Sequence, residues 1–451
     1  MINFGLEAYL GGTLYILAIW LILYSIFKQP IAGLYVLVPM IPLQTIRYRL
    51  QDYPLGTSFV GITLLAVAIG LLVRRRPILG RTPWDVLLVV FCVFTFASLC
   101  WGSLYLKQPL PFLLANDERF ADWREYILMP VFLFLTAAAV ENRKQIFILI
   151  ALMCLGAVAL DKSYWSTVSD RDFSEYSDDL RDPGAMGYAG VNGLAAFEAQ
   201  FATLVLALAA WEKRRSLRWG YAALALASVL CLMFSLSRGG YAAVLAGLLF
   251  LGLVKMRKLL VMMLLFGLVW TALVPNAVRQ RVTMTWDTND GGLDHSSETR
   301  VTLWEDAMHV FDSNPLIGTG FNTYAYMGRV GDYKDTHNYF IKVLVETGVL
   351  GLLLFLALIF RLLWTGLVLH WRAPDPLARA LGLGLAGWVA CAIVANLFGD
   401  RWSFLQVNGY MWVLAGLAAR SFTLAQDESG GSQGDELTQP DSIWEPQEAL
   451  S

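Results

Sequence analysis

A histidine and an asparagine stand directly before a long apolar segment in the last third of the sequence. The stretch "DTHNYFIKVLVETGVLG" runs from Asp335 to Gly351 and places His337 and Asn338 beside residues hydrophobic enough to enter a bilayer. An imidazole titrates near neutral pH and can take a proton from an attacking hydroxyl group. At a membrane surface it would do so while the electrophile stays anchored in lipid, and Asn338 would orient the imidazole or bind a substrate hydroxyl. The alternative is a structural interfacial histidine.

An arginine followed by two glycines indicates an anion site. In "SLSRGGYAAVLAGLLF" (235–250), the glycines permit a tight turn and the next helix is predicted to start at about Gly239. Arg238 then lies beside the free N–H groups and the positive dipole end of that helix, a combination that binds anions. An arginine that pairs with a lipid phosphate is the alternative reading.

A second arginine opens a predicted amphipathic helix in "SSETRVTLWEDAMHVFDSNPLIGTGFNTY" (296–324). Arg300 stands near the expected start of this helix, and proline and glycine break the helix after residue 313. The alternative is a surface helix with a capping arginine. The apolar stripe expected to face the protein or the membrane comprises Val301, Trp304, Met308 and Phe311.

Two acids fall inside apolar segments. Glu198 and Glu346 are costly to bury in a membrane, so each suggests either a function or a helix-packing hydrogen bond. Gly348 and Gly351 are one helical turn apart, which predicts close approach of a neighbouring helix.

The sequence gives no positive sign of a cofactor. It contains neither a Walker loop nor a dinucleotide-binding glycine motif, and it predicts no ATP, redox cofactor or nucleic-acid partner. Asp170 and Asp172 form an Asp-x-Asp pair of the kind that holds a divalent ion against a diphosphate, but they stand in an irregular acidic loop, so no metal site is predicted. All five cysteines lie in apolar runs and are expected to be packing residues.

Composition identifies the elements that must position these residues. Of 451 residues, 57% are hydrophobic and 16% charged, with a mean hydropathy of +0.54. Apolar runs recur at the length that crosses a bilayer as a helix. The sequence therefore predicts an all-α polytopic membrane bundle of about twelve spans. The candidate segments are 9–27, 30–46, 57–73, 84–106, 126–140, 145–160, 189–211, 219–236, 239–254, 258–274, 338–364, 376–398 and 404–420.

Lysine and arginine occur in every other connection, which predicts one consistent orientation. The short basic loops, expected to be cytoplasmic, are 74–81, 141–144, 212–218, 255–258 and 361–379. The connections expected to face outward are 47–56, 107–125, 161–188, 237–240, 275–336 and 399–403.

These boundaries divide the chain into four parts. The residues from Ser421 onward carry only acidic charges, with glycine, serine and glutamine, and predict a disordered tail without a packed core. The predicted parts are transmembrane spans with short loops (1–274), a large outward-facing loop that contains helices (275–336), C-terminal spans (337–420) and a disordered acidic cytoplasmic tail (421–451).

The ordered motifs resemble the O-antigen ligase family, which shares its domain with many O-antigen polymerases. "SRGG" opens a span, a large loop holds "R…LW…A" and "NPLIGTGFNTY", and "HNYF…VETGVLG" follows, across roughly residues 235–355. The family pattern H-[N/S/Q]-x9-G-x-x-[G/T/Y] is met by His337, Asn338, Gly348 and Gly351.

The resemblance implies a fold similar to the lipid-dependent GT-C glycosyltransferases and an active site facing the periplasm at the bacterial cell inner membrane. It implies a lipopolysaccharide-biosynthesis enzyme that transfers glycan, with inversion, from undecaprenyl diphosphate to a sugar hydroxyl of the lipid A–core. The family's general base maps to His337, and its diphosphate-binding arginines map to Arg238 and Arg300. The reaction is expected to need neither metal nor ATP. Further outward-facing arginines expected to complete the phosphate site are Arg47, Arg49, Arg119, Arg124, Arg279, Arg281, Arg329 and Arg401.

Two alternatives stay open at this stage. An O-antigen polymerase would use the same donor with a second lipid-linked glycan as acceptor, and protein O-oligosaccharyltransferases belong to the same superfamily. A lipid-glycan flippase or small-anion transporter would need charges deep inside several spans, and only Glu198 and Glu346 lie there. Polar residues concentrated on one face favour an interfacial enzyme.

Overall fold

The computed structural model describes residues 6–54, 56–78, 82–113, 117–284, 295–329 and 335–430. Within those ranges every regular element is helical, which confirms the all-α prediction. The α-helices, in chain order, are α1 (Leu6–Phe27), α2 (Ile31–Met40), α3 (Gln44–Arg49), α4 (Phe59–Val73), α5 (Asp85–Tyr105), α6 (Glu118–Ala139), α7 (Arg143–Val168), α8 (Gly190–Trp211), α9 (Arg215–Phe234), α10 (Arg238–Val254), α11 (Arg257–Leu273), α12 (Asn276–Thr283), α13 (His295–Ser313), α14 (Tyr339–Arg372), α15 (Pro376–Asn396) and α16 (Leu405–Gly430).

Side-chain caps fix where several helices begin. Asn142 accepts a hydrogen bond from the N–H of Gln145 at the start of α7, at 3.1 Å. Asp375 accepts from the N–H of Ala378 at 3.1 Å, and Pro376 occupies the first position of α15. Such caps satisfy N–H groups that have no partner inside the helix, so each start is encoded locally.

Two helices form the centre of the bundle. The most apolar windows of α8 and α15 are 89% and 72% buried, against 22% for α9 at the periphery. A helix that is apolar all round and buried belongs in the interior. Gly366 on α14 and Gly382 on α15 let these two helices touch, because a Cβ on either glycine would collide with backbone of the other helix.

Seven helices are long and apolar enough to span a membrane, or nine if two bent pairs count as one span each, among the residues described. The bent pairs are α2 with α3 and α11 with α12. Two shorter apolar helices, Gly11–Phe27 and α10, are additional candidates. An integral membrane protein is thus supported, and the count of about twelve stays a prediction.

The basic loops meet at one end of the bundle, as a single orientation requires. The opposite end, called the loop end below, contains the starts of α6, α10, α14 and α16 and the 399–403 turn between α15 and α16. The contacts that join neighbouring basic loops are Arg76–Glu141 at 2.5 Å, Arg143–Asp375 at 2.8 Å, and Lys255 and Arg379 over the ring of Trp211 at 4.3 and 5.4 Å.

The prediction of disorder from Ser421 onward is wrong for residues 421–430. Helix α16 continues to Gly430, and Ser421, Phe422 and Leu424 are buried. The reason is that apolar residues in "SFTLAQ" still pack on the bundle, so the acidic composition of the tail begins to apply only beyond them. Residues 431–451 of the predicted tail lie outside the described residues.

The large 275–336 connection contains helices, as predicted, although residues 285–294 and 330–334 lie outside the described part. The predicted apolar stripe of α13 is only partly buried: Phe311 packs against Ala307 and Val310, whereas Val301 and Met308 are exposed. Leu303, Ala307 and Val310 are the fully buried residues. Both sets have helical spacing, so periodicity alone did not choose between them. Arg300 lies in the second turn of α13, because the helix begins five residues earlier than the sequence indicates.

Candidate active site

His337 adopts a strained backbone conformation at the loop end. Its φ is +52°, in the left-handed region, which costs a non-glycine residue about 1–3 kcal/mol. Neighbouring contacts hold it there: the hydroxyl of Thr336 donates to the carbonyl of Asn338 at 2.8 Å, and Trp304 Nε1 of α13 donates to the carbonyl of Thr336 at 3.0 Å. Helix α13 therefore fixes the turn that presents His337.

Asn338 is the N-cap of α14. Its Oδ1 accepts hydrogen bonds from the N–H groups of Phe340 at 3.0 Å and Ile341 at 3.3 Å. The side chain is mostly buried in this role, so the structure explains Asn338 as a helix cap that holds the His337 turn.

Asp335 contacts His337. Its Oδ2 lies 3.5 Å from Nδ1 of His337. Burial raises the pKa of Asp335, but the hydrogen bond with His337 and the charges of Lys342 and Arg401 outweigh burial and hold the pKa at about 2. Asp335 is therefore ionised near neutral pH, where it can orient the imidazole and stabilise a positive charge on it.

The turn between α15 and α16 continues this network. The N–H of Asp400 donates to Oδ2 of Asp335 at 3.3 Å, and Lys342 Nζ donates to Oδ2 of Asp400 at 3.0 Å. Both side chains of the Lys342–Asp400 pair are largely buried. Removing one member of such a pair leaves an uncompensated buried charge, so this pair is a rigid part of the site.

Arg401 is aimed by its own turn. Asn396 Oδ1 accepts from the N–H groups of Arg401 at 3.0 Å and Trp402 at 2.9 Å, and Asn408 Nδ2 donates to the carbonyl of Arg401 at 2.6 Å. Gly399 has a φ of +147°, and a Cβ there would press on the Arg401 guanidinium. The sequence "GDRWS" therefore needs its glycine both for the turn and for the arginine.

Five arginines surround one small cavity, called the arginine cavity. Arg238 and Arg300, predicted from the sequence, are joined there by two of the predicted supporting arginines, Arg281 and Arg401, and by Arg181, which sequence reasoning missed. No carboxylate is among the described residues that line it. Clustered guanidinium groups repel one another unless an anion lies between them, and their planar donors match phosphate oxygens, so the cavity has the chemistry of a phosphate site.

Helices α8 and α10 frame the arginine cavity. Asn192 Oδ1 of α8 accepts from Arg181 Nη2 at 2.9 Å and from the Ser237 hydroxyl at 2.8 Å, and Ser237 also caps Gly240 of α10. Helix α10 begins at Arg238, so this arginine does occupy a helix N-terminus.

The two glycines after Arg238 have a different role from the one predicted. Neither has a left-handed φ; the turn residue with that conformation is Leu236, at +55°. A Cβ on Gly239 would press against Phe398, and one on Gly240 would collide with Ala195 of α8. The glycines therefore let the arginine-bearing helix end approach α8.

The remaining predicted arginines lie elsewhere. Arg119 is buried and donates to Ser103 Oγ at 3.1 Å and to the carbonyl of Leu99 at 3.0 Å. Arg329 pairs with Asp306 at 2.9 Å. Arg47 and Arg124 line a separate groove, which is described below. The other predicted arginines line neither that groove, nor the arginine cavity, nor the acidic cavity described below; they are Arg49, Arg119, Arg279 and Arg329.

Gly348 breaks α14 and lets the 314–323 segment dock there. Its φ is +67°, and the N–H of Val349 donates to the carbonyl of Pro315 at 2.9 Å. The Glu346 carboxylate accepts from the backbone N–H groups of Asn322 at 2.9 Å and Tyr324 at 3.2 Å. The expected neighbouring helix at Gly348 is thus replaced by a loop, and Glu346 has a structural explanation. Periodicity missed this because a left-handed glycine leaves the helical pattern of the flanking residues intact.

An acidic cavity lies on the other side of the Asp400–Arg401 peptide. It consists of two adjoining spaces that share Asp122, Asn322, Lys342, Asp400 and Phe404 in their walls. Aromatic side chains form much of the rest. The carboxylates that line it are Glu118, Asp122, Glu125, Asp335, Glu346 and Asp400, against one ammonium group, that of Lys342.

The other acids singled out in the sequence are not part of this site. Glu198 is fully buried in α8, near Asp161 of α7. Asp172 accepts from the N–H and hydroxyl of Ser174, both at 2.8 Å, as a loop-stabilising residue does. Over the described ranges, no group of three or more histidine, cysteine, aspartate or glutamate side chains converges as a metal site would.

One family model matches part of the chain. The O-antigen ligase family model matches residues 222–356, a segment that contains Arg238, Arg281, Arg300 and His337. The match supports the predicted O-antigen ligase family assignment and a glycosyltransferase-like domain of O-antigen ligase or polymerase type in a bacterial integral membrane protein. Arg401 lies outside the matched segment. No curated protein matches the chain.

Proposed function

We propose that this protein is an O-antigen ligase that transfers glycan from undecaprenyl diphosphate to a sugar hydroxyl of the lipid A–core. The observation that carries the proposal is the convergence of five arginines beside the Asp335–His337 pair at one end of a membrane bundle. The loop end faces the periplasm of the bacterial inner membrane, in keeping with the basic loops gathered at the opposite end. The match to the O-antigen ligase family model supports the same reaction class.

The arginine cavity holds the donor diphosphate. Asn192 holds the Arg181 guanidinium, Asn396 holds the backbone of Arg401, and Arg238 stands at the α10 start, so these groups need little reorganisation when the bond to the glycan breaks. They stabilise the negative charge that grows on the leaving diphosphate, and preorganised donors of this kind are each worth about 10²–10³ in rate.

His337 is the general base. The acceptor hydroxyl gives its proton to Nε2 while Asp335 contacts Nδ1. The acceptor oxygen forms a bond with the anomeric carbon, the bond from that carbon to the diphosphate oxygen breaks, and its electron pair leaves with undecaprenyl diphosphate. Attack from the face opposite the diphosphate inverts the anomeric configuration. No step uses ATP.

The test is a lipopolysaccharide gel from cells that lack their own ligase and carry this protein. A polymer ladder on lipid A–core is the expected result, and cells with an empty vector are the control. Polymer that accumulates only on undecaprenyl diphosphate would make the protein a polymerase, the second reaction covered by the family match. Movement of intact lipid-linked glycan across sealed vesicles, without any transfer, would instead indicate a flippase.

A further inference from the structure

A groove at the loop end carries a second pair of arginines and has an exposed apolar wall. It is called the Arg47 groove and is bounded by Arg47 of α3, Arg124 of α6 and the first turn of α4. Its volume is about 250 Å³, which is large enough for several water molecules or a phosphate group. It shares no lining residue with the arginine cavity. A diphosphate in that cavity would therefore not contact Arg47 or Arg124.

The polar wall of the groove has more cationic than anionic groups. Arg47 Nε is buried and has no hydrogen-bond partner among the residues described. Glu125 is the one carboxylate beside Arg47 and Arg124 among the described residues that line the groove. Two guanidinium groups against one carboxylate leave a net positive charge, which suits a phosphate anion.

The other wall is apolar and continues onto the exposed side of α4. Phe59, Ile62 and Leu65 of α4 line the groove, and Leu65 is 60% exposed. The same helix exposes Leu72 and Val73 further along. An anion site with an apolar wall that extends to exposed side chains of a spanning helix fits a lipid phosphate better than a free phosphate ion.

The groove leads toward His337 through the acidic cavity. Glu125 and Tyr188 line both spaces, and Tyr188 contacts Phe404 with ring centroids 5.8 Å apart. The acidic cavity then extends to Asp400 and Asp335. Its carboxylates accept hydrogen bonds from hydroxyl groups and repel phosphate. A ligand that spans this path has a phosphorylated lipid end and a neutral, hydroxyl-rich end.

We infer that the Arg47 groove binds a phosphate group of the acceptor glycolipid, whose sugar chain then crosses the acidic cavity to His337. The inference rests on the proposed function and adds to it the acceptor's entry site. It gives the two lipid-linked substrates separate arginine sites, with the reacting sugar between them.

The experiment measures transfer kinetics in proteoliposomes of phosphatidylcholine, which has no net charge. Arg47→Gln combined with Arg124→Gln should raise the KM for lipid A–core about 10–100-fold, as loss of charge-assisted hydrogen bonds does, with the donor KM unchanged. With a lipid A–core acceptor from which the phosphates have been removed, wild type and variant should have equal, high KM values. Arg49→Gln is the matched control, because Arg49 is an exposed residue of the same helix and lines none of the described cavities.

Other outcomes separate the possible failures. An unchanged acceptor KM in the double variant would overturn the inference while leaving the ligase function intact. An effect that appears only after phosphatidylglycerol is added would make the groove a site for bulk anionic lipid. If wild type transfers nothing to lipid A–core, the proposed function fails. Binding of lipid A–core to wild type and to the double variant is then measured in phosphatidylcholine nanodiscs. Equal binding by the two proteins would refute the inference about the Arg47 groove.

Discussion

The arginine cavity and the acidic cavity are neighbours with opposite charge. Two consecutive residues divide them: Arg401 lines the first and Asp400 the second. Two unit charges 4 Å apart interact by about 4 kcal/mol at the effective dielectric of a protein surface, so a diphosphate that is stabilised on one side is repelled on the other. In the proposed reaction a single turn would therefore sort two substrates by charge, with His337 beside the dividing wall.

The largest expected effect comes from removing the base at this wall. His337→Ala should lower the transfer rate by about 10²–10⁴, because general-base catalysis is lost while both cavities remain. The measurement is kcat for glycan transfer by protein that elutes as a folded monodisperse species. His309→Ala, at an exposed position of α13, is the matched control and should behave as wild type. Near-normal transfer by His337→Ala would leave this histidine with a structural role only.

The next prediction tests the cationic side alone. Arg238→Lys should lower kcat about 10²-fold or more, because lysine keeps the charge but loses the bidentate geometry that matches phosphate oxygens. Arg329→Lys is the matched control, since Arg329 pairs with Asp306 away from the arginine cavity. A wild-type rate for Arg238→Lys, as for the control, would leave Arg238 as a lipid anchor that does not act on the leaving diphosphate.

A smaller effect is expected from the acidic side of the wall. Asp335→Asn should reduce kcat about tenfold, because the neutral amide no longer stabilises the positive charge that His337 gains when it takes the acceptor's proton. The wild-type carboxylate is ionised at neutral pH, since the pKa of Asp335 is held at about 2. A lower rate that comes with a clear loss of thermal stability would show that Asp335 only supports the turn.

Much of this site follows from local sequence, and the rest depends on tertiary packing. His337, Arg238 and Arg300 were identified by their position before apolar runs or near helix starts, and the all-α class follows from composition. Arg181 was missed because it stands in an acidic loop, and only its hydrogen bond to Asn192 on α8 carries it to the cavity. No local pattern encodes such a contact.

Tertiary contacts also decide which of the other predicted arginines reach the arginine cavity. Arg119 and Arg401 both stand in outward connections and look alike in the sequence. In the fold, α5 carbonyl and hydroxyl groups receive Arg119, whereas Asn396 and Gly399 direct Arg401 into the arginine cavity. The break at Gly348 was missed for a related reason, since nothing in an apolar run shows which glycine turns left-handed.

The smallest expected effect on transfer comes from the α14 cap, which supports the fold and lines neither cavity. Asn338→Ala removes the α14 cap, which should lower the free energy of unfolding by about 1 kcal/mol, whereas both KM values stay near wild type. Thermal unfolding and transfer kinetics of the same preparation measure the two quantities. Asn338→Asp restores an acceptor for the two N–H groups and should recover the stability. A raised acceptor KM with unchanged stability would instead mean that Asn338 binds a sugar hydroxyl, and the wall between the cavities would then include a direct contact to the acceptor.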